Sequence, residues 1–82
     1  MMQPDTIKQL IEAGLANSTA HVDGDGHHFE AVIVCDDFAG KSMVQQHQMV
    51  YAALGDKMKA EIHALSMKTL TQEQYEQARA NQ

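Results

Sequence analysis

The chain has 82 residues, of which 44% are hydrophobic, and its formal net charge at neutral pH is −5. This length predicts one small domain over residues 1–82, and the hydrophobic content excludes a disordered chain. The acidic charge argues against binding held mainly by nucleic-acid phosphates. A single cysteine excludes an internal disulfide. The lack of an apolar signal or membrane segment predicts a soluble, cytoplasmic protein.

A first helix is predicted to begin at Pro4, because the missing N–H of proline costs nothing in a first helical turn. Apolar side chains then recur at spacings of three and four residues, at Ile7, Leu10, Ile11 and Leu15. This spacing forms one apolar stripe, and the helix is expected to end near Gly14.

Two strands around a tight turn are predicted next, because apolar and polar residues alternate on both sides of the segment DGDG. A two-residue turn at Asp25-Gly26 places Asp23 opposite His28, whereas a turn one residue earlier places His21 opposite His28. Either register leaves His28 on the polar face, because side chains alternate with a period of two. The same alternation places His27 on the other face, at the edge of the core.

A second helix is predicted to follow a flexible connection at Gly40, with Ser42 as its N-cap. Val44 and Tyr51 are expected to flank its inward side. The predicted inward stripe consists of Met43, His47, Val50, Leu54 and Met58.

A third strand is predicted over residues 60–69, and a final helix is predicted from Thr71, which forms a capping box with Gln74. The strand pattern places Ile62, Ala64 and Ser66 on one face and His63, Leu65 and Met67 on the other. The element order is α-β-β-α-β-α, which predicts an α+β fold in which a three-stranded sheet is covered by helices.

Catalysis is not expected, because no nucleophile motif or glycine-rich phosphate loop surrounds the available nucleophiles. Cys35 has no C-x-x-C partner, and its strand position predicts a small buried side chain. Histidines are therefore the main candidates for chemistry, since neutral imidazole binds transition metals.

Two interpretations of these histidines remain open from the residues alone. His28 is either a solvated cross-strand partner of Asp23 or a metal ligand. His63 is either an imidazole at the edge of the core or the second ligand that such a site requires. His47 and Tyr51 are assigned to the fold, with a minor role at a partner surface.

Several motifs together make the chain similar to members of the BolA-like family, over nearly its whole length. They are Phe38, Gly40 and Ser42, the run HQMVY at 47–51, the run IHAL at 62–65, and a glycine-rich hairpin that ends in His28-Phe29. The resemblance implies a fold related to the class II KH domain.

The resemblance also implies a monothiol glutaredoxin as partner, with a [2Fe–2S] cluster shared between the two proteins and glutathione. The isolated chain is expected to hold no cluster and to be a monomer or a weak homodimer. His63 is implied as one ligand and His28 as the other, with His27 and His21 ranked after it, because no cysteine lies in the hairpin. Function in iron–sulfur cluster assembly, transfer or iron sensing follows, with an apo-protein as a possible cluster acceptor.

The alternative implied by the KH-like resemblance is a nucleic-acid-binding transcriptional regulator. KH domains clamp nucleotides with a GXXG loop, and the nearest match here, GKSM at 40–43, lacks the second glycine. The candidate phosphate contacts are Lys41, Lys57, Lys59 and Lys68. A third interpretation is an interaction module without metal, for which His63→Ala would leave glutaredoxin binding intact.

Overall fold

The computed structural model describes residues 2–81, with all of their side chains except that of Ile62. The main elements are α1 Pro4–Gly14, β1 Ser18–Gly24, β2 Phe29–Cys35, α2 Met43–Leu54, β3 Leu65–Leu70 and α3 Gln72–Ala80. Short 3₁₀ helices cover Asp36–Phe38, Gly55–Met58 and Ile62–Ala64. Within residues 2–81 the α+β fold and its order of three helices and three strands are confirmed.

The strand β2 lies in the centre of the sheet, antiparallel to β1 and parallel to β3. Helices α1 and α2 cover one face of the sheet, where Ala20, Phe29 and Ile33 are buried. Helix α3 lies on the opposite face, because its Tyr75 stacks on His21, which alternates with the buried Ala20 along β1. The sheet therefore lies between α1 and α2 on one face and α3 on the other.

Side-chain caps define the starts of α2 and α3. The Oγ of Ser42 accepts the N–H of Gln45 at 3.2 Å, and the Oε1 of Gln45 accepts the N–H of Ser42 at 2.9 Å. Thr71 and Gln74 form the same reciprocal pair at the start of α3. Both caps confirm the helix starts predicted from the sequence, because each satisfies two backbone donors that the helix leaves free.

The predicted stripe of α1 is confirmed, since its apolar side chains are fully or partly buried in the core. Gly14 is the last helical residue, and a Cβ added there would meet the backbone of Ala53 at 2.8 Å. Glycine is thus required for the close approach of α1 to α2. Cys35 is buried, as predicted, and its Sγ lies 3.6 Å from the carbonyl oxygen of Ala16.

The predicted stripe of α2 is correct in its second half and wrong at its start. Val50 and Leu54 are buried, and Met58 is buried in the 3₁₀ helix that follows Leu54. Met43, however, is 70% exposed, because the first turn of α2 extends beyond the core. No helix within residues 2–81 is both long enough and apolar enough to cross a membrane.

Candidate metal-ligand site

The structure brings His28 and His63 to the same end of the sheet. Strands β2 and β3 are parallel, and their first residues, Phe29 and Leu65, are Cα partners. His28 immediately precedes Phe29, and His63 lies two residues before Leu65. Both histidines are exposed. Two imidazoles distant in sequence therefore lie at one solvent-accessible edge of the fold.

His28 belongs to a four-residue hairpin loop, residues 25–28, that is organised by Asp25. The Oδ1 of Asp25 accepts the backbone N–H of His27 at 2.8 Å and that of His28 at 2.9 Å. The N–H of Asp25 in turn donates to the carbonyl oxygen of His28 at 3.2 Å. Gly26 has a φ of 92°, a conformation that glycine adopts without strain.

The bonds to Asp25 favour its ionised form. Two hydrogen bonds hold the pKa of the Asp25 carboxyl below its ordinary value. The bond from the His28 N–H has the larger effect, and the bond from the His27 N–H has the next largest. The carboxyl is fully exposed, so the loop is held by a solvated side chain rather than by burial.

Both predicted hairpin registers are wrong. The last strand pair is Gly24 with Phe29, and Asp23 faces Glu30 instead of His28. The four-residue loop is favoured over a two-residue turn because the Asp25 side chain supplies acceptors for its N–H groups. His28 consequently lies in the loop and not on a strand face.

His63 was predicted to lie on a strand at the edge of the core, and this placement is wrong. The segment Ile62–Ala64 is a 3₁₀ helix, and β3 begins only at Leu65. The N–H of Ala64 donates to the carbonyl of Glu61 at 2.9 Å, which closes a tight turn around an exposed His63. The predicted face for the Ile62 side chain lies outside the described residues.

His27 and His21 differ in their surroundings. His27 is exposed in the loop and is not at the edge of the core, contrary to the prediction. His21 is exposed on β1 and pairs with Val32. Its ring stacks on Tyr75 with centroids 5.3 Å apart and planes at 13°, so one ring face packs against α3. Its Cα is about 10 Å along β1 from the last strand pair, at about 3.4 Å per residue.

A shallow recess surrounds His28. It is lined by Asp23, Gly24, Asp25, His28 and Glu30. Within the part of the chain that the structure describes, no group of three or more histidine, cysteine or acidic side chains is arranged to hold a metal ion. A metal held by His28 and His63 would therefore need further ligands from another molecule.

The donor set fits a shared iron–sulfur cluster. A [2Fe–2S] cluster needs four ligands, and two imidazoles can replace two thiolates on one iron, as in Rieske centres. Two exposed histidines at one end of the sheet could hold two of these positions, and the other two would be left to thiolates of another molecule. The residues present are thus compatible with this group.

The candidate lysines lie on several elements, and α2 separates Lys41 from Lys57 and Lys59. Lys41 precedes α2, and its Nζ donates to the carbonyl oxygen of Asp37 at 3.0 Å. Lys57 and Lys59 follow α2, whose twelve residues span about 18 Å at about 1.5 Å per residue. Lys68 is exposed on β3. Lysines at opposite ends of α2 do not form one basic patch.

A groove between α2 and β3 contains the half-buried His47. Its lining residues are Met43, Gln46, His47, Met67, Lys68, Thr69, Leu70 and Gln74. Sequence reasoning missed the exposure of Met43 and of Val44, which is 66% exposed. It also missed the role of Asp25 in the loop, although an aspartate before glycine is a known signal for side-chain bonding in turns.

The structure defines a small α+β domain with two exposed histidines at one end of its sheet, and comparisons with known proteins assign its family. The family model described as BolA-like protein matches residues 7–74. A solved BolA homologue from Coxiella burnetii superposes with a TM-score of 0.84 at 49% identity, covering 93% of this chain and 99% of that one. The chain belongs to the BolA-like family.

Curated relatives agree with this assignment. An uncharacterised protein of Haemophilus influenzae is 35% identical over 80 residues, or 96% of this chain and 94% of its own. The acid stress protein IbaG of Escherichia coli is 35% identical, with 85% of this chain and 84% of its own covered. The DNA-binding transcriptional regulator BolA of E. coli is 34% identical, with 65% of this chain and 50% of its own covered.

A related domain also occurs within a larger protein. The BolA domain of SufE1 from Arabidopsis thaliana superposes with a TM-score of 0.70 at 30% identity. The match covers 85% of this chain and 92% of that domain. The family thus includes both a protein named as a regulator and a domain attached to a SufE-like protein.

Proposed function

We propose that this chain is a non-catalytic adaptor that binds a monothiol glutaredoxin and shares a bridging [2Fe–2S] cluster with it. His63 and His28 are the ligands from this chain, and the glutaredoxin cysteine and a glutathione thiolate are the others. The adaptor acts in the assembly or transfer of clusters or in iron sensing, with an apo-protein as cluster acceptor and the cytoplasm as its compartment.

The observation that carries the proposal is the parallel pairing of Phe29 with Leu65, which places His28 and His63 at the same exposed edge. Neither residue needs to leave a packed position in order to bind iron. The relationship to the BolA domain of SufE1 adds support for an iron–sulfur role.

The chemistry of this ligand set favours a transferable cluster. Imidazole ligands lower the net charge of the cluster and raise its reduction potential relative to four thiolates. A histidine must be neutral to bind a metal, so acid competes with such ligands and makes the cluster easier to release. The surroundings of the His28 and His63 side chains would then control both the binding and the release of the cluster.

The test is visible absorbance and circular dichroism of this chain mixed with a cluster-loaded monothiol glutaredoxin and glutathione. The wild type is expected to give a new spectrum, which His63→Ala abolishes and His28→Ala abolishes or shifts. His27→Ala and His21→Ala remove matched imidazoles and are expected to keep the wild-type spectrum. An unchanged spectrum with His63→Ala would refute the proposed ligand set, and intact binding by that variant would favour a metal-free module.

The second candidate function is nucleic-acid binding, which the name of the E. coli regulator favours. It would rest on Lys41, Lys57, Lys59 and Lys68, in a chain with a net charge of −5. Phosphate contacts make the affinity for DNA fall steeply as the salt concentration rises. The slope of log affinity against log salt concentration therefore gives the number of these contacts. DNA binding at physiological ionic strength that is weakened by Lys57→Ala would support this function, and no binding would reject it.

A further inference from the structure

Two hydrogen bonds and two neighbouring residues restrain the backbone of His28 in the hairpin loop. The Oδ1 of Asp25 accepts its N–H, and its carbonyl oxygen accepts the N–H of Asp25. A Cβ at Gly24 would lie only 2.4 Å from the same carbonyl oxygen, so the facing strand is in close approach. The next residue, Phe29, is buried in the core and anchors the chain on the C-terminal side of His28.

This arrangement fixes the direction in which the His28 side chain leaves the backbone. Two N–H groups converge on one carboxylate oxygen, so the peptide planes before His27 and His28 cannot rotate independently. Bonds from N–H groups to an ionised carboxylate are stronger than those to a neutral acceptor. Without them, the N–H groups of His27 and His28 would lose their acceptor, and the loop would keep only the bond from the Asp25 N–H to the His28 carbonyl and the anchoring of its ends at Gly24 and Phe29.

We infer that Asp25 is a positioning residue that pre-organises His28 for metal binding next to His63. The inference rests on the proposed function and deepens it, and it assigns Asp25 a role through the His28 backbone and not as a ligand. A ligand whose backbone is already ordered loses less conformational entropy on binding and holds its geometry. The carboxylate therefore contributes to cluster sharing through its two hydrogen bonds to the loop.

Three variants separate the possible causes. Asp25→Ala removes the acceptor. Asp25→Asn keeps a side-chain oxygen at the same place but removes the charge. Asp23→Ala is the matched control, because Asp23 lines the same recess and its Oδ1 accepts only the N–H of the adjacent Gly24, at 2.8 Å.

The first measurement is amide hydrogen exchange of His27 and His28 in the isolated chain, which needs no cluster. Asp25→Ala is expected to speed exchange at both amides by about tenfold, the effect of losing one hydrogen bond. Asp25→Asn is expected to restore most of the protection, and Asp23→Ala is expected to leave it unchanged.

The second measurement is the spectrum of the complex with cluster-loaded glutaredoxin and glutathione. Asp25→Ala is expected to reproduce the change seen with His28→Ala, whereas Asp25→Asn and Asp23→Ala keep the wild-type spectrum. Wild-type exchange rates and a wild-type spectrum in Asp25→Ala would overturn this inference but not the proposed function. An effect of Asp23→Ala equal to that of Asp25→Ala would also overturn it, because the loss of a negative charge would then explain both. A wild type without any cluster spectrum would overturn the proposed function and with it the ligand role, even where exchange confirms the anchored loop.

Discussion

The loop that carries His28 and the turn that carries His63 lie at the same end of the sheet, yet different interactions fix them. The first depends on hydrogen bonds to the exposed Asp25 carboxylate. The second is a short 3₁₀ helix between two core residues, Met58 and Leu65. The loop of His28 thus adds side-chain hydrogen bonds to the anchoring by the buried Phe29, whereas the turn of His63 is flanked by core residues on both sides.

The largest effect is expected from breaking the packing beside the His63 turn. Leu65 is buried as the first residue of β3, next to Phe29. Leu65→Ala leaves a cavity and is expected to lower the free energy of unfolding by about 2–5 kcal/mol. That is a large share of the roughly 4–12 kcal/mol typical of a domain of this size. Urea denaturation followed by circular dichroism measures the loss.

Ser66→Ala is the matched control, because Ser66 is the exposed neighbour of Leu65 on the other face of β3. Its expected effect is within about 0.5 kcal/mol. Equal stability of the two variants would contradict the claim that the His63 turn is fixed by the core.

An intermediate effect is expected from crowding the His28 loop. Gly24 does not have a positive φ, but a Cβ there would lie 2.4 Å from the carbonyl oxygen of His28 and 2.7 Å from the Cδ1 of Phe29. Gly24→Ala is expected to cost about 1–3 kcal/mol by overpacking and to displace His28. Backbone amide shifts of His27 and His28 report the displacement.

Gly40→Ala provides the contrast. Gly40 has a φ of 77°, but nothing lies within 4 Å of an added Cβ. The variant is expected to lose stability through backbone strain while the amide shifts of the His28 loop stay unchanged. Equal displacement of the loop by both variants would show that Gly24 has no specific contact with it.

The elements with local signals could be predicted from the sequence. Capping at Ser42 and Thr71 depends on residues three apart, and the stripe of α1 depends on spacing within one helix. These signals lie within a few residues of the structure that they specify, so the chain alone contains them.

The site could be predicted only in part. His28 and His63 were identified by family resemblance, but their surroundings depend on the parallel register of β2 and β3, which pairs residues 36 positions apart. The strand pattern around His63 continues through residues 62–64, where the chain nevertheless forms a 3₁₀ helix. Alternation in a short apolar run cannot distinguish these outcomes without the packing partners.

The smallest effect is expected from acid, which removes carboxylate acceptors from the hairpin but leaves the apolar flanks of the His63 turn in place. Glu12 of α1 accepts the Nζ of Lys8 at 2.7 Å and the N–H of Ala20 in β1 at 2.9 Å. These two bonds hold the pKa of Glu12 below its ordinary value of 4.5, and the bond from Lys8 has the larger effect.

A carboxylate with a lowered pKa stabilises the fold above its unfolded pKa, and this contribution is lost as pH falls through the folded pKa. Because both partners are partly solvated, the contribution is expected to be no more than about 1 kcal/mol. Glu12→Gln should therefore be slightly less stable than the wild type at pH 7, and the difference should shrink below pH 4.5. Urea denaturation from pH 7 to pH 3 measures both. A difference that stays constant across this range would mean that the charge of Glu12 does not anchor β1, and that the hairpin depends on packing as the His63 turn does.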